Sequence, residues 1–151
     1  MIRKTLIEIC TLLDRHEVDY LVIGGVAVIY HGYVRSTADL DFWYNPVLSN
    51  FHKIVQAFKE YGIDVSDLEK AVFDPQKTFL RFPVSNIRVE FLPAIPGNLS
   101  YKEVKAKAAI LKIDDIKISV IGYEDLIKNK ATTNRLKDQA DIEELTKRKK
   151  N

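Results

Sequence analysis

Cysteine occurs once in the 151 residues, at position 10, so no intrachain disulfide can form and a cysteine-based metal centre is excluded. Long apolar runs are missing as well: no stretch approaches the roughly 18 to 20 residues that a membrane-spanning helix needs. The first residues, MIRKTLIEI, lack the apolar centre and small-residue cleavage site of a secretory signal, which leads to the expectation of a cytoplasmic protein. Charge of one sign is scarce. With 23 basic residues against 21 acidic ones the formal net charge is +2, too small to argue by itself for a nucleic-acid partner, so an RNA- or DNA-binding module is the weakest reading. Only Lys147 to Lys150 concentrate positive charge, and that run reads as a solvated helix end whose cations complement the helix dipole. His16, His31 and His52 have no spacing that suggests a metal site or a nucleophile. Internal repeats, low-complexity segments and linkers are absent.

What remains is the composition of a soluble globular protein, 46% hydrophobic and 29% charged, and residues 1–151 are expected to form a single domain with a real core. Residues 2–16 carry apolar side chains at helical spacing, which puts Cys10 on an apolar face with Leu6, Ile9 and Leu13. YLVI reads as a buried strand, VAVIYHG as a short helix stopped at Gly32, and DLDFWY as a strand closed by Asn45-Pro46. LSNFHKIVQAFKEY is an amphipathic helix ended by Gly62. SDLEKAVFD reads as a short helix with Ser66 as N-cap and Glu69 at capping-box spacing. TFLRFP and IRVEFLP pair as a hairpin, and YKEVKAKA is helical. AAILKI and IKISVI are strands about Asp114-Asp115, and GYEDLIKNKATT and LKDQADIEELTKRKK are helices. This order predicts an α/β or α+β fold, a mixed β-sheet with helices packed on it.

Within STADLDFWY, alternation of side chains along a strand puts Asp39 and Asp41 on one face and Leu40 and Phe42 on the other. At about 4 Å and an effective dielectric near 20, two such charges repel by on the order of 4 kcal/mol unless water, a cation or a proton relieves them. Two carboxylates on one face suit a hard divalent cation, although an edge strand with one solvated face explains the same pattern. Thirteen residues separate Asp39 from Gly24-Gly25, at a strand-to-helix turn where backbone can approach a phosphate closely; Gly-Gly is also common in ordinary tight turns. Glu90 is an acid inside the apolar run IRVEFLP. Should its strand lie beside that of Asp39 and Asp41, three carboxylates would converge and call for a cation.

IGG, thirteen further residues, DLDF and a later acidic strand residue together resemble the signature of the DNA polymerase β-like nucleotidyltransferase superfamily. LIKNKATTNRLKDQADIEEL is similar to the end of small bacterial nucleotidyltransferases related to AbiEii-type toxins, with a helix lysine, an arginine, a Lys-Asp pair and another Asp. The resemblance runs from Tyr20 to Leu145. It implies a nucleotidyltransferase fold and, as catalytic and metal-binding residues, Asp39, Asp41 and Glu90, the last standing where many members carry Asp. It also implies that Gly24, Gly25, Arg35, Thr37, Lys130 and Asp138 bind the nucleotide. For Arg35 and Lys130 solvation is the plain alternative, for Thr37 a loop hydroxyl, and for Asp138 a helix-start carboxylate. Lys137 and Asp141 are weaker candidates, while Trp43 and Tyr44 read as packing residues.

The activity so implied is transfer of a nucleoside monophosphate from a nucleoside triphosphate to an acceptor hydroxyl on RNA, protein or a small molecule. Two Mg²⁺ ions serve as cofactors, and no Ser, Cys or His nucleophile is needed. An antitoxin or a second copy of the chain is the partner such a small protein suggests. The rival expectation is a non-catalytic member of the same fold that binds a nucleotide or a partner.

Overall fold

Apolar residues at period two and period 3.6 alternate along the chain, and in the computed structural model, which describes residues 2–150, they fold as expected from those periods. The elements are α1 (Ile2–Arg15), β1 (Tyr20–Ile23), α2 (Gly24–Tyr30), β2 (Asp39–Tyr44), α3 (Leu48–Tyr61) and α4 (Ser66–Lys70). They continue as β3 (Leu80–Val84), β4 (Ile87–Leu92), α5 (Tyr101–Ala106), β5 (Ala109–Ile113), β6 (Ile116–Val120), α6 (Tyr123–Ala131) and α7 (Leu136–Lys150). Met1 and Asn151, the ends of the expected single domain, lie outside the described residues.

The strands form one six-stranded mixed sheet in the order β3-β4-β2-β1-β6-β5. β3–β4, β1–β2 and β5–β6 run antiparallel, whereas β2–β4 and β1–β6 run parallel. The strand carrying Asp39 and Asp41 is therefore interior, which removes the edge-strand explanation of its charges. One face of the sheet is apolar: Val22, Leu40, Phe42, Val89, Phe91, Phe82 and Val120 are all buried on it. α3 packs there, with the Phe58 ring stacked 3.8 Å from Phe82 and edge-on to Phe91. α1 lies on the same side, where the hydroxyl of Tyr20 donates to Asp14 over 3.3 Å, and Cys10 is buried with Leu6, Ile9 and Leu13 as its spacing predicts. The opposite face holds Asp39, Asp41, Glu90 and Trp43, and α5 covers part of it through the edge-on contact of Tyr101 with Trp43. Among the described residues no helix is long and apolar enough to cross a membrane.

The segment after α3 departs from expectation. The helix begun at Ser66 ends at Lys70, short of Asp74, and the hydroxyl of Ser66 makes no cap. Its backbone N–H instead donates to Asp64 Oδ1 over 3.0 Å, and Glu69 is drawn to Lys59 at 3.1 Å rather than back to the helix start. Asp64 thus takes the N–H on which Glu69 would close a capping box, and the Glu69 N–H that the serine hydroxyl would accept goes to the Val65 carbonyl at 2.9 Å.

Phe58→Ala would leave a void between Phe82 and Phe91 where rings now stack. Denaturant unfolding should show a loss of about 3–5 kcal/mol; a loss below about 1 kcal/mol would mean the aromatic cluster is not a stabilising centre.

Candidate active site

Register makes the site. In the parallel β2–β4 pair Asp41 lies opposite Glu90, and Asp39 lies opposite Arg88. β3 places Arg81 opposite Glu90, and β1 places Ile23 opposite Asp41. One row across the sheet thus reads Arg81, Glu90, Asp41, Ile23, and the chain then turns at Gly24 into α2. Gly24 has φ +69, and a Cβ there would stand 2.3 Å from Asp41 Oδ2, so glycine is required both by the backbone and by the carboxylate against it. At Gly25 a Cβ would stand 2.8 Å from Thr37 Oγ1. The Gly-Gly turn, the loop hydroxyl and the second aspartate are consequently in contact.

These groups border a cavity of about 550 Å³. Its sheet side holds Gly24, Asp39, Asp41 and Glu90. Lys130 and Asp138 enter from α6 and α7, and Phe79 with Ile95 supply apolar wall. Burial, then Glu90, then Asp39 push the Asp41 carboxyl up to about 6, a sign of negative charge without enough compensation. The outer carboxylates are compensated differently. Arg88 Nε donates to Asp39 Oδ1 at 2.8 Å, and an Arg81 guanidinium nitrogen reaches Glu90 Oε2 at 3.4 Å. With both drawn onto arginines, no three acidic, His or Cys side chains among the described residues are gathered closely enough to hold a metal ion as they stand.

The helical wall is a closed network. Lys130 is 5% exposed, not solvated, and its ammonium donates to Asp138 Oδ1 at 2.7 Å and pairs with Asp141 Oδ2 at 3.0 Å. Asp138 also accepts from Thr133 at 2.6 Å and Arg135 at 2.8 Å. Burial works to raise its pKa, but the hydrogen bonds from Lys130 and Thr133 prevail and hold it down at about 2. Asp141, 1% exposed, accepts a two-pronged contact from Arg35 at 2.9 and 3.0 Å. Arg35 is therefore neither solvated nor facing the cavity; it straps the loop before β2 to α7. Thr37 exchanges hydrogen bonds with the Asp39 backbone at 3.2 and 3.3 Å and faces the Gly-Gly turn rather than the cavity.

Sequence reasoning underrated Asp141 and passed over Arg81 and Arg88. The signals were there: Asp138 and Asp141 share a helix face at i, i+3, and Arg88 and Glu90 share a strand face at i, i+2. Trp43 and Tyr44 pack as expected, with Trp43 Nε1 donating to Pro93 O at 3.1 Å. The histidines stay outside the site; His31 bonds the carbonyl of Ile121, and His16 pairs with Glu60.

A profile of the family described as nucleotidyl transferases of unknown function (DUF2204) matches residues 2–151. The chain belongs to this nucleotidyl transferase family. A crystal structure of a Thermotoga maritima protein, described there only as a candidate nucleotidyltransferase, superposes with a TM-score of 0.62. The match covers 97% of this chain and 94% of that one at 13% identity, a likeness of fold. No curated protein matches the chain.

Two outcomes test this transferase's site. Gly24→Ala combines a strained backbone with a collision, whereas Gly62→Ala, at φ +107 with open space around it, carries the backbone strain alone. Unfolding should show about 1 kcal/mol lost at Gly62 and about 2–4 kcal/mol at Gly24, with Asp41→Ala recovering part of the excess in the double variant. The second outcome concerns pH. Because the folded chain holds the Asp41 proton more tightly than the unfolded one, the contribution of Asp41 to stability falls as pH rises from about 3.8 to about 6 and is level above that. The cost is at most about 3 kcal/mol, so Asp41→Asn should gain on the parent protein over this interval in denaturant midpoints. Parallel pH curves for the two would refute the shift.

Proposed function

We propose that this nucleotidyl transferase moves a nucleoside monophosphate from a nucleoside triphosphate to a hydroxyl on an RNA, protein or small-molecule acceptor, releasing pyrophosphate. The observation that carries the reading is the row in which Glu90 and Asp41 are paired across parallel strands against the Gly24 turn. Hard carboxylate oxygens short of positive charge fit Mg²⁺, and Asp39, Asp41 and Glu90 are the residues that would hold two such ions once the arginines yield. Bound there, the ions supply activation of the acceptor hydroxyl and neutralisation of the phosphates.

The chain's own residues do the positioning. Gly24 and Gly25, without Cβ atoms, admit the phosphates close to the backbone, and Thr37 braces that turn. Lys130 is held at the cavity wall by Asp138 and Asp141, which keeps a cation in a fixed place opposite the carboxylates. Arg35 acts through Asp141 rather than on the phosphates. Catalysis of this kind is positioning and charge stabilisation, so the want of a nucleophilic Ser, Cys or His is no obstacle.

The likeness of the α6–α7 segment to AbiEii-type toxins supports extending the reading to the toxin half of a toxin–antitoxin pair in the cytoplasm. A second reading, a non-catalytic binder of nucleotide or partner, draws on the ion pairs that now occupy Asp39 and Glu90. Labelled triphosphates with Mg²⁺ and an acceptor panel decide between them. Transfer should occur and fall at least about a hundredfold in Asp41→Asn, and any growth arrest on expression should be relieved by the same change. Calorimetric binding of Mg²⁺–nucleotide with no product on any acceptor would favour the binder, and equal transfer by both proteins would sink the role of Asp41.

A further inference from the structure

Two arginines share the carboxylate face, and backbone register put them there. Arg88 is the strand partner of Asp39 and Arg81 that of Glu90, so each acid that flanks Asp41 has a guanidinium beside it. Asp41 itself has none: its neighbour on the other side is Ile23, and Lys130 is committed to Asp138 and Asp141. The arginine side chains are 59% and 57% exposed, against 28% and 14% for the acids they meet. A guanidinium at such a position can leave into water at little cost, while the carboxylate stays. The Arg81 guanidinium, while it meets Glu90, also lies 5.4 Å from the centroid of the Phe79 ring. Exposed ion pairs of this kind add little to folding, so stability is a poor account of both.

We propose that Arg88 and Arg81 are built-in counter-ions that compete with the divalent cation for Asp39 and Glu90 and so set how tightly this site takes a metal. The inference rests on the metal-binding reading of the three carboxylates. In the free protein the guanidinium groups hold the outer acids apart and relieve their mutual repulsion; a cation entering at Asp41 must displace them before it gains its remaining oxygens. A guanidinium keeps its charge at every accessible pH, so the competition does not switch off as it would for a group that titrates. Arg88, with the shorter contact, is the stronger competitor.

The test reads metal affinity, not turnover. Mn²⁺, whose free ion is counted by electron paramagnetic resonance, is titrated into the parent protein and into Arg88→Gln, Arg81→Gln, Arg88→Lys, Asp41→Asn and Lys112→Gln. The last removes one exposed charge from β5, on the far edge of the sheet. Arg88→Gln should bind Mn²⁺ about two- to fivefold more tightly, the change expected from deleting one exposed ion pair. Arg81→Gln should gain less, Arg88→Lys should fall between parent and Gln, and Lys112→Gln should match the parent. Equal or weaker binding by Arg88→Gln, or an equal gain in Lys112→Gln, would overturn the proposal while leaving the carboxylate reading intact. Binding in none of these proteins, or binding indifferent to Asp41→Asn, would overturn that reading and the proposal together.

Discussion

The parallel pairing of β2 with β4, in the register that sets Asp41 beside Glu90, is the constraint on which the rest of the molecule turns. Like charges held across adjacent strands repel, and no strand would choose that register for the sake of its acids. It is fixed from behind. Leu40, Phe42, Val89 and Phe91 occupy the alternate positions of the same strands and are 0% exposed, and each buried side chain of this size contributes about 1.5–3 kcal/mol. A slip of either strand by one residue would turn its own pair outward, Leu40 and Phe42 or Val89 and Phe91, and drive its acids toward the core. The aromatic stack on α3 therefore holds the carboxylates in place from the other side of the sheet, at a distance where it has no part in their chemistry.

Charge is balanced unevenly around the cavity. On the helical side every buried acid has its cations: Asp141 has Arg35 and Lys130, and Asp138 has Lys130 and Arg135. Buried pairs of this kind add little net stability, but deleting one member strands a charge, so they fix where α6, α7 and the loop before β2 can sit. On the sheet side compensation is partial. Asp39 and Glu90 meet exposed arginines that water can reclaim, while Asp41, between Glu90 and Ile23 and against the Gly24 turn, feels Lys130 and Lys137 too weakly to offset its burial and the two neighbouring acids. One wall is complete in itself, and the other keeps negative charge that is only partly offset.

Local elements were legible because they depend on local chemistry. Period-two alternation gave DLDFWY its bounds, and Gly62 at φ +107 ended α3 as its position predicts. What resisted reading was anything decided by partners far along the chain. Which strand lies beside β2 is settled by tertiary packing, so the sequence could pose the convergence of Glu90 with Asp41 only as a condition. Arg35 looked like a phosphate ligand because its partner, Asp141, stands 106 residues away. At Lys130 the resemblance implies a nucleotide ligand and the plain alternative is a solvated lysine; its burial is produced by the packing of a helix that begins six residues later, which the spacing along α6 does not foretell. At Ser66 the failure was local: two competing side-chain oxygens stood within reach of one N–H, and a capping pattern does not say which is nearer.

Fold alone does not separate transfer from binding, because one scaffold serves both. The electrostatics of the row bear instead on the need for positive charge, which a transferase and a binder of cation–nucleotide share. A bare triphosphate would be served by the Gly24-Gly25 turn and by cations such as Lys130, and three carboxylates lining the same cavity would repel it. Burying Asp41 beside Glu90 and Asp39 carries a standing cost, visible in a carboxyl pushed up to about 6. Such an arrangement is explained if positive charge enters the cavity to offset it. Gly24 fits the same account: its missing Cβ lets the Asp41 oxygen stand directly against the backbone turn.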